Sequence, residues 1–397
     1  MKMQLRNLIR RFLTLLVLLS ILLSGSVSPA FGESSSLYTY EDQFTSRDLR
    51  QTPDLADSTA LTLQSGQDVH ITSGGIYVLS GAVAETTVYV EAGDEDKVQL
   101  VLDQVQITNE SFPCIYVVTA NKVWITTVSD SSLAVTGAFR SDGDVNTDSV
   151  IFSRQDLTLN GTAALSVSSS QNGIVSKDDL KVTGGVFNIT AESKALEAND
   201  SIRIADGELS LTAGTDTIHA ENAEDDSLGY VTIWGGTLTL VAVDDAIHAT
   251  SAVQIEGGTF SIQAAEGIEG TLILINGGTL SIQATDDGIN AASKSGSYSP
   301  KVEINGGEIT IVMGAGDTDG IDSNGDIVVN GGTVNVTAGS TFDYDGTAAY
   351  NGGTIICNGQ QVASIPNQRM GSRGGFSQDG FGGGFGGHGG HGGRGGW

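Results

Sequence analysis

The sequence is short of cations. It carries 19 Lys and Arg against 47 Asp and Glu, which gives a formal charge of −28. Four of the cations (Lys2, Arg6, Arg10 and Arg11) lie in an N-terminal segment whose removal would move the charge to about −32. Because so acidic a surface repels phosphate backbones and anionic lipids, we expect neither a nucleic-acid partner nor a membrane-surface partner. Cations are the natural partners.

The sequence also lacks a second long apolar run. The run that it has, residues 12–23, follows those four cations and precedes the small residues SGSVSPAFG. Such a run is too short to cross a bilayer, so residues 1–32 are interpreted as a secretory signal peptide that is cleaved after Ala30 or Gly32. We therefore expect a secreted, extracellular protein, with cell-wall association as a further option and no membrane insertion.

No amphipathic helical stretch of useful length is present, and a repeat takes its place. Gly-Gly or Asp-Gly pairs recur from Gly184 to Gly353 with a period near 22 residues, and two longer intervals hold insertions at 221–230 and 293–300. After each pair, apolar and polar residues alternate, which predicts a half-buried strand. The first inward column of these strands is Phe187, Leu209, Leu238, Phe260, Leu280, Ile309 and Val334. The pattern predicts an all-β fold, a parallel β-helix with coils of about 20–25 residues.

The expected organisation follows from these patterns. Residues 1–32 form the signal peptide, 33–68 an N-terminal linker or cap, and 69–360 the β-helix domain. The Gly-rich residues 361–397 are expected to be a disordered tail, because they cannot bury enough apolar surface to fold. Cys114 and Cys357 are separated by about 11 coils, or roughly 50 Å, which excludes a disulfide between them.

Acidic residues recur in the turn before each short strand, followed by a small residue and an Ile. One column runs through Asp216, Asp245, Glu266, Asp287 and Asp319, after Asn172 and Lys194, with Asp345 as a candidate last member. Three residues further on, a second column holds Val175, Glu197, His219, His248, Glu269, Asn290 and Asp322. Stacked carboxylates about 4.8 Å apart repel by about 3.5 kcal/mol at an effective dielectric of 20. We therefore expect a cation to bind between them and offset this repulsion.

Calcium suits this spacing, because oxygen ligands at about 2.3–2.6 Å let one ion bridge adjacent coils. The predicted ligands are Asp216, Asp244, Asp245, Glu266, Glu269, Asp286, Asp287, Asp317, Asp319 and Asp322. The alternative is that each Asp only caps its own turn. Zinc would prefer His219 and His248, but a coil with an insertion separates the two in sequence and only carboxylates accompany them, so we prefer calcium. Trp234, Tyr230 and Tyr298 are candidates for stacking on a sugar ring.

Several segments resemble a known family. The stretches GIYVLSGAV, NKVWIT, IFSRQDLTLNG and NGIVSKDDLKVTGG, with the turns DGIN and DGID that begin at Asp287 and Asp319, resemble secreted bacterial carbohydrate-binding proteins. The resemblance spans roughly residues 71–353. It implies a right-handed parallel β-helix like that of polysaccharide lyases, calcium as cofactor, and binding of cellulose or acidic, pectin-like sugars. The family's Asp-Gly-Ile is replaced by KAL at Lys194, so no calcium site is expected at that coil.

These observations favour a non-catalytic, monomeric protein that binds a plant cell-wall or cell-surface polysaccharide. The alternative is a calcium-dependent polyuronate lyase, a pectate-type enzyme with Lys194 as the base that removes the proton next to the carboxylate. No Arg-x-Lys occurs in the chain, which argues against a hydrolase-like set. A third possibility is a surface adhesin or structural solenoid built on outward Thr columns, which Glu208, Glu308 and Val186 interrupt.

Overall fold

A computed structural model describes residues 36–316 and 318–368 of the chain. These residues form 36 strands, numbered β1 to β36 in chain order, and one short helix, α1 (Tyr40–Gln43). No helix in this part of the chain has the length and apolar character that a membrane span needs. The predicted signal peptide, residues 369–397 of the predicted tail, and Asp317 lie outside the described residues.

The strands form three faces of a solenoid. Face one is a separate sheet of 12 strands. Its members are β2 (Val69–Ile71), β4 (Val88–Glu91), β6 (Ile115–Thr119), β9 (Ser149–Ser153), β12 (Asn172–Ser176), β15 (Leu196–Ala198), β18 (Ile218–Ala220), β21 (Asp245–Ala249), β24 (Glu266–Gly270), β27 (Asp287–Ala291), β30 (Asp319–Ser323) and β33 (Ser340–Tyr344).

A 24-stranded sheet supplies the other two faces. Face two contains β1 (Thr59–Thr62), the first halves of β3 (Gly75–Ala84) and β5 (Lys97–Asn109), and then β7 (Lys122–Thr127), β10 (Leu157–Gly161), β13 (Asp179–Val182), β16 (Ser201–Ile204), β19 (Tyr230–Ile233), β22 (Ala252–Ile255), β25 (Leu272–Ile275), β28 (Lys301–Ile304), β31 (Asp326–Val329) and β34 (Ala348–Tyr350). Face three contains the second halves of β3 and β5, and then β8 (Ser131–Val135), β11 (Ala164–Ser169), β14 (Val186–Ala191), β17 (Glu208–Ala213), β20 (Thr237–Ala242), β23 (Thr259–Ala264), β26 (Thr279–Ala284), β29 (Glu308–Met313), β32 (Thr333–Thr337), β35 (Thr354–Cys357) and β36 (Gln360–Gln361).

Each coil contributes one strand to each face, and the next coil repeats the set. In the middle of the chain β21, β22 and β23 pair in parallel with β24, β25 and β26. Ile247 is opposite Ile268, and Ile268 is opposite Ile289, 21 residues apart in both cases. The predicted all-β fold of parallel strands is thereby confirmed.

The core is one continuous column of apolar side chains inside the coils. Phe187 pairs with Leu209, and that register continues through the predicted inward column to Val334. Strict alternation places these residues inside and the intervening Ser and Thr outside, as a half-buried strand requires. Gly236, Gly258 and Gly278 directly precede successive strands of face three and have positive φ values, which glycine adopts without a steric penalty.

Both ends of the described chain pack onto the solenoid. At the C-terminus, β36 turns back antiparallel to β35, Ile365 is buried, and the side-chain oxygen of Gln368 accepts a hydrogen bond from the Thr341 N–H. Residues 361–368, which the sequence placed in the tail, therefore cover the last coil. At the N-terminus, residues 36–51 lie along face two, and we call this segment the strap.

The two cysteines are both free thiols, Cys114 buried and Cys357 half-buried. Cys114 directly precedes β6 in the third coil and Cys357 lies in the twelfth, so nine coil steps separate them rather than 11. At about 4.8 Å per step the separation is about 43 Å. The sequence reasoning overestimated the count because insertions lengthen three of these coils: residues 136–148 between β8 and β9, 221–229 between β18 and β19, and 293–300 between β27 and β28.

We predict that a thiol reagent modifies Cys357 in the native protein and Cys114 only after unfolding. Burial raises the pKa of the Cys114 thiol to about 12, so little reactive thiolate forms at neutral pH. Mass spectrometry of the labelled protein distinguishes the two sites. A Cys114–Cys357 disulfide would contradict the coil count.

Candidate functional site

The predicted acidic residues lie together on the outside of face one, which we call the acidic face. In the first column Asp245 is opposite Glu266, and Asp287 is opposite Asp319. The second column is continuous in register through Glu197, His219, His248, Glu269, Asn290, Asp322 and Asp343. Asp319 is opposite Ser340, so Asp345 does not continue the first column.

Close packing between coils explains the small residue after each acid. A Cβ atom added to Gly288 would overlap the carbonyl oxygen of Gly320 and lie 2.5 Å from a methyl group of Ile311. At the equivalent place in an earlier coil, the Thr217 hydroxyl instead donates a hydrogen bond to the carbonyl of Ala246 at 2.5 Å. The carboxylate, small residue and Ile motif thus places the acid outside, the backbone in contact with the next coil, and the Ile in the core.

The first half of the acidic face contains the histidines. Nδ1 of His248 lies 2.8 Å from Oδ2 of Asp245 and 2.8 Å from Oε2 of Glu269. One coil earlier, Nδ1 of His219 lies 2.8 Å from Oδ2 of Asp216. The two imidazole rings stack with centroids 4.5 Å apart. The insertion between β18 and β19 leaves the strand register intact, so the two histidines are direct neighbours.

Ionisation within this group is strongly perturbed. Burial alone would lower the pKa of His248, but its hydrogen bonds to Asp245 and Glu269 prevail and raise the pKa to about 9. Burial would raise the pKa of Glu269, but hydrogen bonds from His248 and Lys294 lower it to about 2. Burial raises the pKa of Asp245 to about 6 despite the His248 hydrogen bond. The carboxylates of Asp245 and Glu269 therefore favour the protonated form of His248.

The second half of the acidic face contains Glu266, Asp287 and Asp322, which are three half-buried carboxylates. Burial raises the pKa of Glu266 to about 8, and the nearby Glu269 adds to the shift. Burial, followed by the charge of Asp322, raises the pKa of Asp287 to about 7. Among the described residues, no Lys or Arg pairs with Glu266, Asp287 or Asp322. These half-buried carboxylates repel one another.

Oxygen atoms in this half fit a hard divalent cation. Asn290 donates a hydrogen bond from Nδ2 to Oε2 of Glu266 at 3.0 Å, while its Oδ1 is buried without a hydrogen-bond partner. Amide and carboxylate oxygens are the ligands that calcium prefers, and its charge would remove the repulsion. Asp244 and Asp286, also predicted as ligands, are exposed in the preceding turns. Asp317 lies outside the described residues.

Lys194, the candidate base, is already paired. Its Nζ lies 3.7 Å from Oε2 of Glu197, whose other oxygen is 3.1 Å from Nζ of Lys177. Asn172 donates a further hydrogen bond to Glu197 at 3.1 Å. This coil precedes Asp216 and carries its own cations, Lys177 and Lys194.

The second column continues toward the N-terminus as a row of aromatic residues, which the sequence reasoning missed. Val175 is opposite Phe152, which is followed by Tyr116, Tyr89 and His70. Tyr116 and Phe152 are buried, whereas Tyr89 is half-buried and stacks on the exposed ring of His70 at 4.8 Å. The recurring motifs VYV, IYV and IFS could have revealed this row.

The strap covers two of the three aromatic residues predicted to bind sugar. Tyr230 is 6% exposed and stacks on Tyr38 of the strap with centroids 4.3 Å apart. Trp234 contacts Tyr40 edge to face at 5.5 Å. Tyr298 is half-buried and lies beside Tyr38. These rings lie on and beside face two, away from the acidic face, and Tyr230 is not available for stacking on a sugar.

A buried carboxylate anchors the strap. Asp48 has no exposed surface, and its Oδ1 lies 2.8 Å from Nζ of Lys122 and accepts a hydrogen bond from Trp124 at 2.9 Å. Oδ2 of the same side chain lies 3.7 Å from Nζ of Lys181. The Arg47 guanidinium lies 3.9 Å over the Trp124 ring. The strap is therefore an integral part of face two.

Comparison with known proteins identifies a family. A family model described as carbohydrate-binding domain-containing protein matches residues 65–318 and 268–362. A protein of the same description from Acetivibrio thermocellus is 37% identical over 134 residues, which cover 32% of this chain and 46% of the relative. The match thus spans about half the length of that relative.

One solved structure is also similar. It is a polysaccharide lyase-like protein from C. thermocellum, studied as a gadolinium derivative, and the superposition has a TM-score of 0.43 at 24% sequence identity. The match covers 79% of this chain and 97% of the other.

Proposed function

The chain belongs to the family of carbohydrate-binding domain-containing proteins, and from that premise we propose that it is a secreted, non-catalytic protein that binds polysaccharide through its acidic face. The observation that carries the proposal is the in-register array of half-buried carboxylates, Glu266, Asp287, Asp319 and Asp322, on one flat face. A surface of this kind binds cations, and the half-buried Tyr89 further along the same face offers an aromatic edge to a sugar.

Calcium is the cation that we propose for the carboxylate half, which is the second half of the acidic face around Glu266, Asp287 and Asp322. Support comes from the oxygen-only ligand set, the raised pKa values of Glu266 and Asp287, and the partnerless Oδ1 of Asn290. Calcium accepts six to eight oxygen ligands in irregular arrangements, so it tolerates ligands spaced by a strand repeat. Magnesium requires a shorter and stricter octahedron.

The polysaccharide that we propose is an acidic, pectin-like chain, with cellulose as a second ligand. The chain carries a formal charge of −28 and should repel a polyuronate unless cations bridge protein and sugar carboxylates. Neutral cellulose needs no such bridge. The two polymers should therefore differ in how far their binding depends on calcium.

Binding to polygalacturonate gels and to insoluble cellulose tests this proposal. The Asp287→Ala, Asp322→Ala double variant should lose most of its calcium-dependent binding to polygalacturonate and keep its binding to cellulose. Glu308→Ala is the matched control, because this exposed carboxylate lies on face three. Equal binding by the double variant and the wild type would exclude the acidic face as the uronate site.

Lyase activity is the second candidate function. Lys194 lies one coil from Asp216, as a base beside a cation column would, but its pairing with Glu197 favours a structural role. An absorbance assay for unsaturated oligouronides, run with the wild type and Lys194→Ala, decides between the two. Product from the wild type that disappears in the variant would establish the lyase.

We predict that calcium raises the midpoint of thermal unfolding and that a chelator lowers it. A ligand that binds only the native state stabilises it by mass action, and here it also removes carboxylate repulsion. Differential scanning calorimetry with calcium and with chelator measures the shift. The Asp287→Ala, Asp322→Ala variant should respond less than the wild type, and an unchanged wild-type midpoint would count against calcium.

Three further properties complete the proposal. We infer a right-handed winding with coils of about 20–25 residues, since parallel crossover connections are right-handed in about 98% of cases. Export is inferred from the predicted signal peptide. A monomer is inferred because we expect one chain to be sufficient for binding. Small-angle scattering of the purified exported chain would test the oligomeric state.

A further inference from the structure

The histidine-containing half of the acidic face differs in chemistry from the carboxylate half. Asp245, His248 and Glu269 each bring one ligand atom into a group whose atoms lie within 4.8 Å of one another. All three residues are buried, with between 5% and 9% of their surface exposed. We propose that these three residues bind a transition-metal dication of the zinc class, separate from calcium on the later coils.

The distances within the group match those of a metal ligand set. Nδ1 of His248 lies 2.8 Å from one oxygen of Asp245 and 2.8 Å from one oxygen of Glu269. Two donor atoms bound to zinc at about 2.0–2.1 Å lie about 2.9–3.4 Å apart when the angle between the bonds is about 90–109°. A small outward movement of the side chains, with release of the proton from Nδ1 of His248, admits the ion.

The ligand types select the metal. Imidazole nitrogen is a good ligand for zinc, cobalt, nickel and copper, whereas calcium takes six to eight oxygen ligands. One nitrogen and two carboxylates, with a position left open, resemble the three-ligand sets of zinc sites that keep a free coordination position. The open position could receive a sugar hydroxyl or carboxylate.

Neighbouring residues hold the ligands in place. The Asp245 N–H donates a hydrogen bond to Oδ1 of Asp216 at 3.1 Å, and the His219 ring stacks on His248 with an interplanar angle of 14°. Residues that orient the ligands in this way commonly affect metal affinity by about 10–100-fold. Sequence reasoning ranked zinc below calcium partly because an insertion separates the two histidines, and the intact register removes that objection.

The ammonium group of Lys294 would compete with a metal ion for the Glu269 carboxylate. Its Nζ lies 2.9 Å from the same Glu269 oxygen that contacts His248, and its side chain is 39% exposed. It follows β27 in the insertion 293–300, where the chain contacts the other insertion through a hydrogen bond from Ser295 to the Asp226 carbonyl. A half-exposed lysine can move away when a metal ion arrives, and its removal should favour the ion.

Zinc and cobalt titrations of the full exported chain test the proposal. His388→Ala and His391→Ala are introduced into every protein, so that the tail imidazoles do not contribute. Isothermal titration calorimetry should give one zinc per chain, which excess calcium does not displace, and cobalt should give visible d–d absorption. The absence of zinc binding, or displacement by calcium, would overturn the proposal.

Variants then locate the site. His248→Phe keeps a ring to stack on His219 and should weaken zinc binding by about 100-fold or more. The matched control is His70→Phe, because His70 lies in the same column and contacts Glu91 at 2.7 Å. Unchanged affinity in His248→Phe would contradict the assignment.

Lys294→Gln gives a result that misfolding cannot imitate. If Lys294 competes with the metal, this variant binds zinc more tightly, by about tenfold on the scale of effects from residues next to metal ligands. If the group is only a structural ion-pair network, the variant loses stability and gains no affinity, which would refute the proposal.

Discussion

Replacing Asp48 with Ala is expected to destabilise the protein by about 3–5 kcal/mol, the range for removing one partner of a buried charge pair. Asp48 has no exposed surface, and Lys122 and Lys181, which face it, are nearly as deeply buried. The substitution would leave two buried ammonium groups without their carboxylate. It would also remove the acceptor of the Trp124 hydrogen bond. Equilibrium unfolding in urea measures the loss.

Asp42→Ala is the control, because Asp42 lies on the same strap but is exposed and accepts its side-chain hydrogen bond from the nearby Thr39. It should change stability by less than about 0.5 kcal/mol. A similar loss in both variants would mean that Asp48 is not the anchor.

Acid should reproduce part of the Asp48 effect. Burial raises the pKa of Asp48, but the hydrogen bond and charge of Lys122 outweigh it and hold the pKa well below its usual range. The native state therefore binds fewer protons than the unfolded state once the pH falls below about 4. The stabilisation is complete above that pH and is lost as the pH falls. Asp48→Asn should lose less stability than the wild type between pH 5 and pH 2, taken as approximate limits.

Replacing Gly288 with Val is expected to cost about 2–3 kcal/mol, because overpacking in a close-packed core forces shifts in the backbone and neighbouring side chains. The new Cβ would overlap the Gly320 carbonyl oxygen and press on Ile311. Since each coil contacts its neighbours, the strain should separate β27 from β30 locally. Urea unfolding, with calcium present, measures the change.

Ser281→Val serves as the control, because Ser281 is exposed on face three, in β26, and a β-branched residue suits a strand there. Its effect should be within about 0.5 kcal/mol. A Gly288→Val protein as stable as this control would show that the small residue after the acid is not required by packing.

Local repetition explains what the sequence predicted correctly. The inward columns from Phe187 to Val334 follow from alternation after each glycine pair, since period two fixes which side chains enter the core. The acidic columns follow from the same alignment, because parallel register stacks equivalent positions of consecutive coils. Insertions that fall between strands do not change which positions of consecutive coils stack on one another.

Contacts without a repeat pattern could not be predicted. Asp48 meets Trp124 at a sequence separation of 76, and Gln51 meets Thr183 at 132. No periodicity in residues 36–51 marks these partners. Asp345 was misplaced for a related reason: its motif DYDG resembles the acidic turns, but it follows β33, whose first residue, Ser340, takes the position opposite Asp319.

The most direct test of the account is an equilibrium binding isotherm of the exported chain on polygalacturonate, measured at fixed ionic strength with calcium at about 1 mM and again with excess chelator. The account predicts saturable binding in calcium, loss of binding in chelator, and no unsaturated product in either sample. Equal binding in the two samples, or release of unsaturated oligouronides in calcium, would contradict a non-catalytic protein that binds acidic polysaccharide through calcium on its acidic face.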